Sequence, residues 1–174
     1  MKSIRLKEYD YTNPNWYYVT ICSHNKKFLL GEINKGKMKL NDFGKVINNF
    51  WNEIPDHFPN VELDYYVIMP DHIHGIIIIN ERNNKTVVEA QHAAPLQENN
   101  KIKSGSLGVI VRSFKSASSR QINLNRNEKI KIWQPNYYEH IVRNEKELYC
   151  IRKYIEENPL KWEFKNHFPE NLDL

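Results

Sequence analysis

The chain has 174 residues, 40% hydrophobic, 12% aromatic and 26% charged, which is the composition of one globular domain with a real core. Its net charge of +4 and pI near 8.9 allow an anionic partner without demanding one. No stretch approaches the roughly 20 apolar residues that a membrane helix needs, and the N-terminus carries no apolar signal region, so a cytoplasmic, non-membrane protein is expected. Cys22 and Cys150 form no zinc-like spacing and are expected to stay reduced.

Residues 1–14 are polar and aromatic and end in the turn signal Thr12-Asn13-Pro14. Trp16 to Cys22 is rich in aromatic and β-branched residues and reads as a strand. Phe28–Ile33 and Lys37–Leu40 read as short strands around Asn34-Lys35-Gly36. Asn41 or Asp42 then caps a helix whose buried stripe is Val46, Ile47, Phe50, Trp51 and Ile54, and Pro55 is expected to stop it. Val61–Met69 reads as a strand, Pro70-Asp71 as a turn, and His72 to about Asn80 as a second strand antiparallel to the first.

Polar residues dominate from about 81 to 105, and we expect a long mobile connection inside a single 1–174 domain. The helical period returns at Ser106–Asn123, with Leu107, Ile110, Val111, Phe114, Ala117 and Ser118 facing inward and Arg112, Lys115, Ser116 and Ser119 on another face. Tyr137–Val142 reads as a strand. A last helix runs from Asn144 to about Asn158, with Asn144 and Glu147 in capping-box spacing, a core stripe of Leu148, Ile151 and Ile155, and Pro159 at its end. This order predicts an α+β sandwich of ferredoxin-like, RRM-like type, with a central antiparallel sheet and the helices layered on one face.

Side chains alternate across a strand, so His72 and His74 share one face and can grip one metal ion. Two imidazoles do not choose the metal. A site with so few protein ligands suits magnesium or manganese acting on a phosphate that brings its own oxygens. Tyr154 borders the core stripe of the last helix, and Asn158 lies one turn further on nearly the same face. A phenol, with a reference pKa of about 10, needs a metal or a cationic surround to act as a nucleophile. The Asn158 amide oxygen is a candidate third ligand, although a helix C-cap before proline explains it equally well. Tyr137, Tyr138 and Tyr149 are rival nucleophiles. His140 reads as a sheet histidine, with a supporting contact to the site or to DNA as the alternative. Residues 101–131 hold eight Lys or Arg against Glu128 alone, a local charge of +7.

His72-Ile73-His74 after a Met-Pro-Asp turn resembles the His–apolar–His motif of the HUH single-tyrosine nucleases. Ser106–Ser116, the segment from Trp133-Gln134-Pro135 to Arg143, and Tyr154-Ile155-Glu156-Glu157-Asn158-Pro159 resemble further motifs of the REP-associated tyrosine transposases, in order and over roughly residues 5–165. The resemblance implies the HUH endonuclease fold, with Mg2+ or Mn2+ held by His72, His74 and a third ligand. It implies cleavage and rejoining of single-stranded DNA at hairpin or palindromic repeats through a 5′-phosphotyrosine on Tyr154. Insertion-sequence relatives usually have glutamine where this chain has Asn158. Arg112, Lys115 and Ser116 fit contacts to the DNA backbone, and exposed aromatics fit stacking on unpaired bases. The resemblance leaves monomer and homodimer open, and a non-catalytic DNA or RNA hairpin-binding module derived from such an enzyme is the alternative.

Overall fold

The computed structural model describes residues 9–81 and 105–167, with side chains to residue 164 in the last helix. The expected connection of about 81–105 falls almost wholly outside the described residues. Four strands form the main sheet: β1 (Asn15–Cys22), β4 (Val61–Ile68), β5 (His72–Ile79) and β6 (Tyr138–Val142). They lie in the order β4-β5-β1-β6, and every neighbouring pair is antiparallel. A hairpin of β2 (Gly31–Asn34) and β3 (Lys37–Leu40) stands apart as a two-stranded sheet. Without that hairpin, the strand–helix–strand–strand–helix–strand sequence is the expected ferredoxin-like arrangement.

The strands pair as their side-chain patterns require. β5 presents Ile73, Ile77 and Ile79 to one face and His72, His74, Ile76 and Ile78 to the other. On the first face lie α1 (Asp42–Asn52) and α3 (Leu107–Arg126), whose Ile47, Trp51, Ile110 and Phe114 join Tyr17, Val19, Ile21, Ile73 and Ile77 in the main core. Gly75 is part of this packing, because a Cβ there would run into the Trp51 ring. The Trp51 and Phe114 rings meet edge to face, 5.4 Å between centroids. The second face carries a smaller cluster of Ile76, Val142, Leu148 and Ile155 under α4 (Glu145–His167). The expectation of helices on one face is therefore corrected: α1 and α3 cover one face and α4 the other, the histidine face. β5 is apolar on nearly both sides because both sides are covered.

Two proline expectations are also corrected. α1 ends at Asn52, and Pro55 sits inside a separate short turn, α2 (Ile54–His57), in its first positions. Proline lacks only an N–H that the first turn of a helix does not use, so it starts this turn instead of stopping the previous one. Pro159 lies inside α4, which continues to His167. An internal proline costs about 3 kcal/mol in an isolated helix, and here tertiary anchors hold the turns that lead up to it. At the front, Asn144 accepts the Glu147 N–H at 2.9 Å, while the Glu147 carboxylate accepts the Arg143 N–H at 2.7 Å and bonds His140 Nε2 of β6 at 2.6 Å. Midway, Arg152 donates to Asp64 of β4 at 2.8 Å. Asn41 caps α1 by accepting the Gly44 N–H at 3.0 Å.

Candidate active site

β1, β5 and α4 meet over the histidine face. In the β1–β5 register Cys22 stands opposite His72 and Thr20 opposite His74. His72 and His74 turn their Nε2 atoms toward each other, 2.9 Å apart. Two bare lone pairs would repel at that distance, so the contact needs a proton on one nitrogen or a cation shared by both. The far nitrogen of each ring is also held. His72 Nδ1 lies 2.5 Å from Asp71 Oδ1. His74 Nδ1 lies 2.7 Å from the Tyr18 hydroxyl and 2.9 Å from Thr20 Oγ1. Such partners fix ring orientation and tautomer, as the outer shell of a metal site does.

Asp71 and His74 are both buried, 6% exposed each. Burial, and secondarily the neighbouring His72, push the His74 imidazole down to about 3, so it is neutral at physiological pH. Burial raises the Tyr18 phenol, which keeps its proton and remains a hydrogen-bonding partner for His74.

α4 lays a stripe of Tyr154, Asn158 and Trp162, spaced by four, along this face. The Tyr154 ring packs edge-on against His74, 5.3 Å between centroids, and 6.5 Å from Tyr18. Trp162 lies 5.7 Å from the His72 ring. Asn158, between the two, is 7% exposed, and its amide makes no hydrogen bond among the described residues. Tyr154 itself is 42% exposed, so its hydroxyl is open to a large substrate. The Lys161 ammonium stands 5.9 Å above the Tyr154 ring while pairing with Glu157 at 2.8 Å. Among the described residues no three His, Cys, Asp or Glu side chains converge on one point. Two imidazoles with anchored far nitrogens, beside the Asn158 amide, fit a hard divalent cation that keeps open positions.

The other expected residues fall elsewhere. His140 pairs across from Tyr18 but bonds Glu147, so it fastens α4 to β6 and does not touch the histidine pair. Arg112, Lys115 and Ser116 line a groove of about 850 Å³ on the opposite side of the sheet, with Lys131, Trp133 and Tyr137. Arg112 and Ser116 are exposed. Lys115 is half-buried and donates to the Gln134 carbonyl at 2.5 Å and the Pro135 carbonyl at 3.0 Å, and burial lowers its pKa. It therefore ties the 133–137 segment to α3. Of the rival tyrosines, Tyr138 stands near Tyr18, 6.3 Å between rings, and Tyr149 is 66% exposed and makes none of the site's ring contacts.

Sequence reasoning missed Tyr18, Thr20, Asp71, Lys161 and Trp162. Asp71 was visible only as a turn residue. Tyr18 and Thr20 become legible only once β1 is paired with β5. Lys161 and Trp162 were hidden by ending the helix at Pro159.

No protein-family model matches the chain. A protein of Haemophilus influenzae with no assigned function is 44% identical over 163 residues, 93% of this chain and 89% of the other. A second protein of that organism, provisionally named a REP-associated tyrosine transposase, is 25% identical over 154 residues, 87% of this chain and 74% of the other. Among solved structures, a REP-associated tyrosine transposase bound to a REP hairpin matches with a TM-score of 0.61 at 18% identity, over 93% of this chain and 74% of that one. No helix among the described residues is long and apolar enough to cross a membrane. The chain therefore belongs to one family with the first Haemophilus influenzae protein, and in sequence and fold it resembles the REP-associated tyrosine transposases.

Proposed function

We propose that the protein cleaves and rejoins single-stranded DNA beside hairpins, with Tyr154 as nucleophile and Mg2+ or Mn2+ as cofactor. The observation that carries this reading is the seating of an exposed tyrosine, 5.3 Å from His74 by ring centroid, against two imidazoles whose Nε2 atoms converge. His72, His74 and the Asn158 amide are the residues that would hold the metal. Bound there, the metal would polarise a phosphodiester and offset its negative charge.

The chain's own residues do the rest. Asp71, Tyr18 and Thr20 keep both imidazoles aimed at one point. Lys161 places positive charge beside the Tyr154 ring, where a phosphate would approach. The Tyr154 oxygen attacks phosphorus, the new O–P bond replaces the P–O3′ bond, the phenolic proton is lost to solvent, and the departing O3′ takes up a proton from solvent. The products are a 5′-phosphotyrosine and a free 3′-hydroxyl. Attack by a 3′-hydroxyl on the phosphotyrosine reverses the chemistry, reseals DNA and returns the proton to Tyr154. One phosphoester is exchanged for another at each step, so no nucleotide cofactor is needed.

The groove on α3 supplies a second contact surface. Arg112, Ser116 and Lys131 offer donors to phosphates, and Tyr137 lines its wall. A hairpin partner is supported by the fold shared with a transposase that was solved on a REP hairpin.

The test is incubation with hairpin-bearing single-stranded DNA and Mn2+, with adducts read on a denaturing gel. We expect a covalent protein–DNA band that Tyr154→Phe and His72→Ala both abolish. Tight hairpin binding with no adduct under Mg2+ or Mn2+ would instead identify a binding module. An undiminished band in Tyr154→Phe would remove Tyr154 from the chemistry.

A further inference from the structure

Helix α4 has a built-in weak point directly beyond its functional stripe. Pro159 follows Asn158 and has no N–H to return to the Ile155 carbonyl, so the helix loses a rung there. Left alone, the segment past it would swing or fray, and Asn158 and Tyr154 lie within its last firm turns.

What holds the segment is the β2–β3 hairpin. Its two-residue loop, Lys35-Gly36, has φ of 52° and 68°, the left-handed pair that a type I′ turn demands. In that conformation the two loop N–H groups point the same way, as they do in anion-binding backbone nests. The Glu163 carboxylate takes both: Lys35 N–H to Oε1 at 2.9 Å and Gly36 N–H to Oε2 at 2.5 Å. The helix also comes close at Gly36, where a Cβ would lie 3.0 Å from the Leu160 side chain. Beside this anchor Trp162 is wedged between Phe28 and His72, 5.7 Å from each ring.

We propose that Glu163 is a positioning residue, whose grip on the Lys35-Gly36 turn holds α4 across its proline so that Tyr154 and Asn158 stay over His72 and His74 of the same chain. The proposal rests on the chemistry proposed for that site. The geometry asks for an anchor past the missing rung. The front half of α4 already has Glu147 on His140 and Arg152 on Asp64. Neither reaches past the missing rung. Glu163 does not line the α3 groove and borders a different hollow with Phe28, Pro70 and Trp162. Loss of the anchor should therefore change the chemical step and leave DNA capture alone.

The test compares Glu163→Ala, Glu163→Gln and Gly36→Ala with the wild type in the full chain. Gly36→Ala attacks the same contact from the other side, by strain at positive φ and by pressure on Leu160. Three quantities are read: amide exchange along α4 by mass spectrometry, affinity for Mn2+ alone, and single-turnover adduct formation alongside hairpin affinity. We expect Glu163→Ala and Gly36→Ala to raise exchange past Pro159, to weaken Mn2+, and to slow adduct formation about tenfold or more while hairpin Kd moves less than about twofold. Glu163→Gln should fall between, because its one amide oxygen accepts a single turn N–H. Unchanged α4 exchange together with unchanged Mn2+ affinity in both Glu163→Ala and Gly36→Ala would overturn the proposal. So would a parallel fall in rate, hairpin affinity and melting temperature, which would mark a general stabiliser. A wild-type chain that makes no adduct would sink the proposed chemistry, yet exchange and Mn2+ affinity would still decide the anchor.

Discussion

The two faces of the sheet are built for different purposes. The face under α1 and α3 is a continuous core in which Trp51, Phe114, Ile73 and Ile77 are buried. The face under α4 has only a four-residue buried apolar cluster, and beyond it a polar string runs from Asp71 through His72 and His74 to Tyr18 and Thr20. α4 therefore cannot be held by apolar burial alone. It is fastened by discrete polar contacts: Glu147 to His140, Arg152 to Asp64 and Glu163 to the Lys35-Gly36 turn. One face is a continuous core, and the other keeps a polar, partly exposed surface.

The comparison can be broken by exchanging the expected effects. Trp51→Ala, on the core face, should destabilise by about 3–5 kcal/mol in urea unfolding, the range for deleting a buried aromatic. Tyr154→Phe, on the other face, should stay within about 0.5 kcal/mol of wild type, since it removes an exposed hydroxyl. If the two variants were equally destabilised, the division of labour would be wrong. Next in size, Asp71→Asn should weaken Mn2+ binding about 10- to 100-fold by loosening the His72 ring, with a smaller change in unfolding free energy. Tight Mn2+ binding in that variant would show that Asp71 does not orient the site. Arg112→Ala should leave the folded state intact and lower the dependence of log Kd for hairpin DNA on log salt by about one unit, the signature of one lost phosphate contact. An unchanged slope would take Arg112 off the DNA path.

The smallest effect expected concerns pH. The Arg143 N–H and then the His140 bond hold the Glu147 carboxyl below the usual range. A depressed carboxyl adds stability that is complete above its unfolded pKa and lost as pH falls through the folded one. Glu147→Gln should thus lower the melting temperature slightly at neutral pH and converge with wild type in acid. A gap that widened on acidification would reverse the sign and refute the assignment.

Much of this site was legible before the fold. The pair His72 and His74 is a period-two signal within one strand, and Tyr154 with Asn158 is a period-four signal within one helix. Both depend only on local geometry. The ferredoxin-like order followed from alternating strand and helix patterns. What stayed hidden is what depends on distant pairing. Thr20 and Tyr18 support His74 only because β1 lies in register beside β5. The placement of α4 on the opposite face could not be read from its own stripe, since Leu148, Ile151 and Ile155 would suit either face. Pro159 misled because a local stop signal was outweighed by Trp162 and Glu163, which are anchored to residues more than 80 positions away in sequence. Lys115 looked like a free cation in a basic run, whereas its ammonium is occupied by the Gln134 and Pro135 carbonyls.

The central claim is that α4 delivers one particular phenol to the histidine pair. Mapping the covalent adduct tests it most directly: wild-type protein is incubated with hairpin DNA and Mn2+, digested with nuclease and trypsin, and sequenced by tandem mass spectrometry. The account predicts a nucleotide remnant on Tyr154 alone, lost in His72→Ala. A remnant on Tyr138 or Tyr149, or none on any tyrosine while the hairpin stays bound, would contradict it.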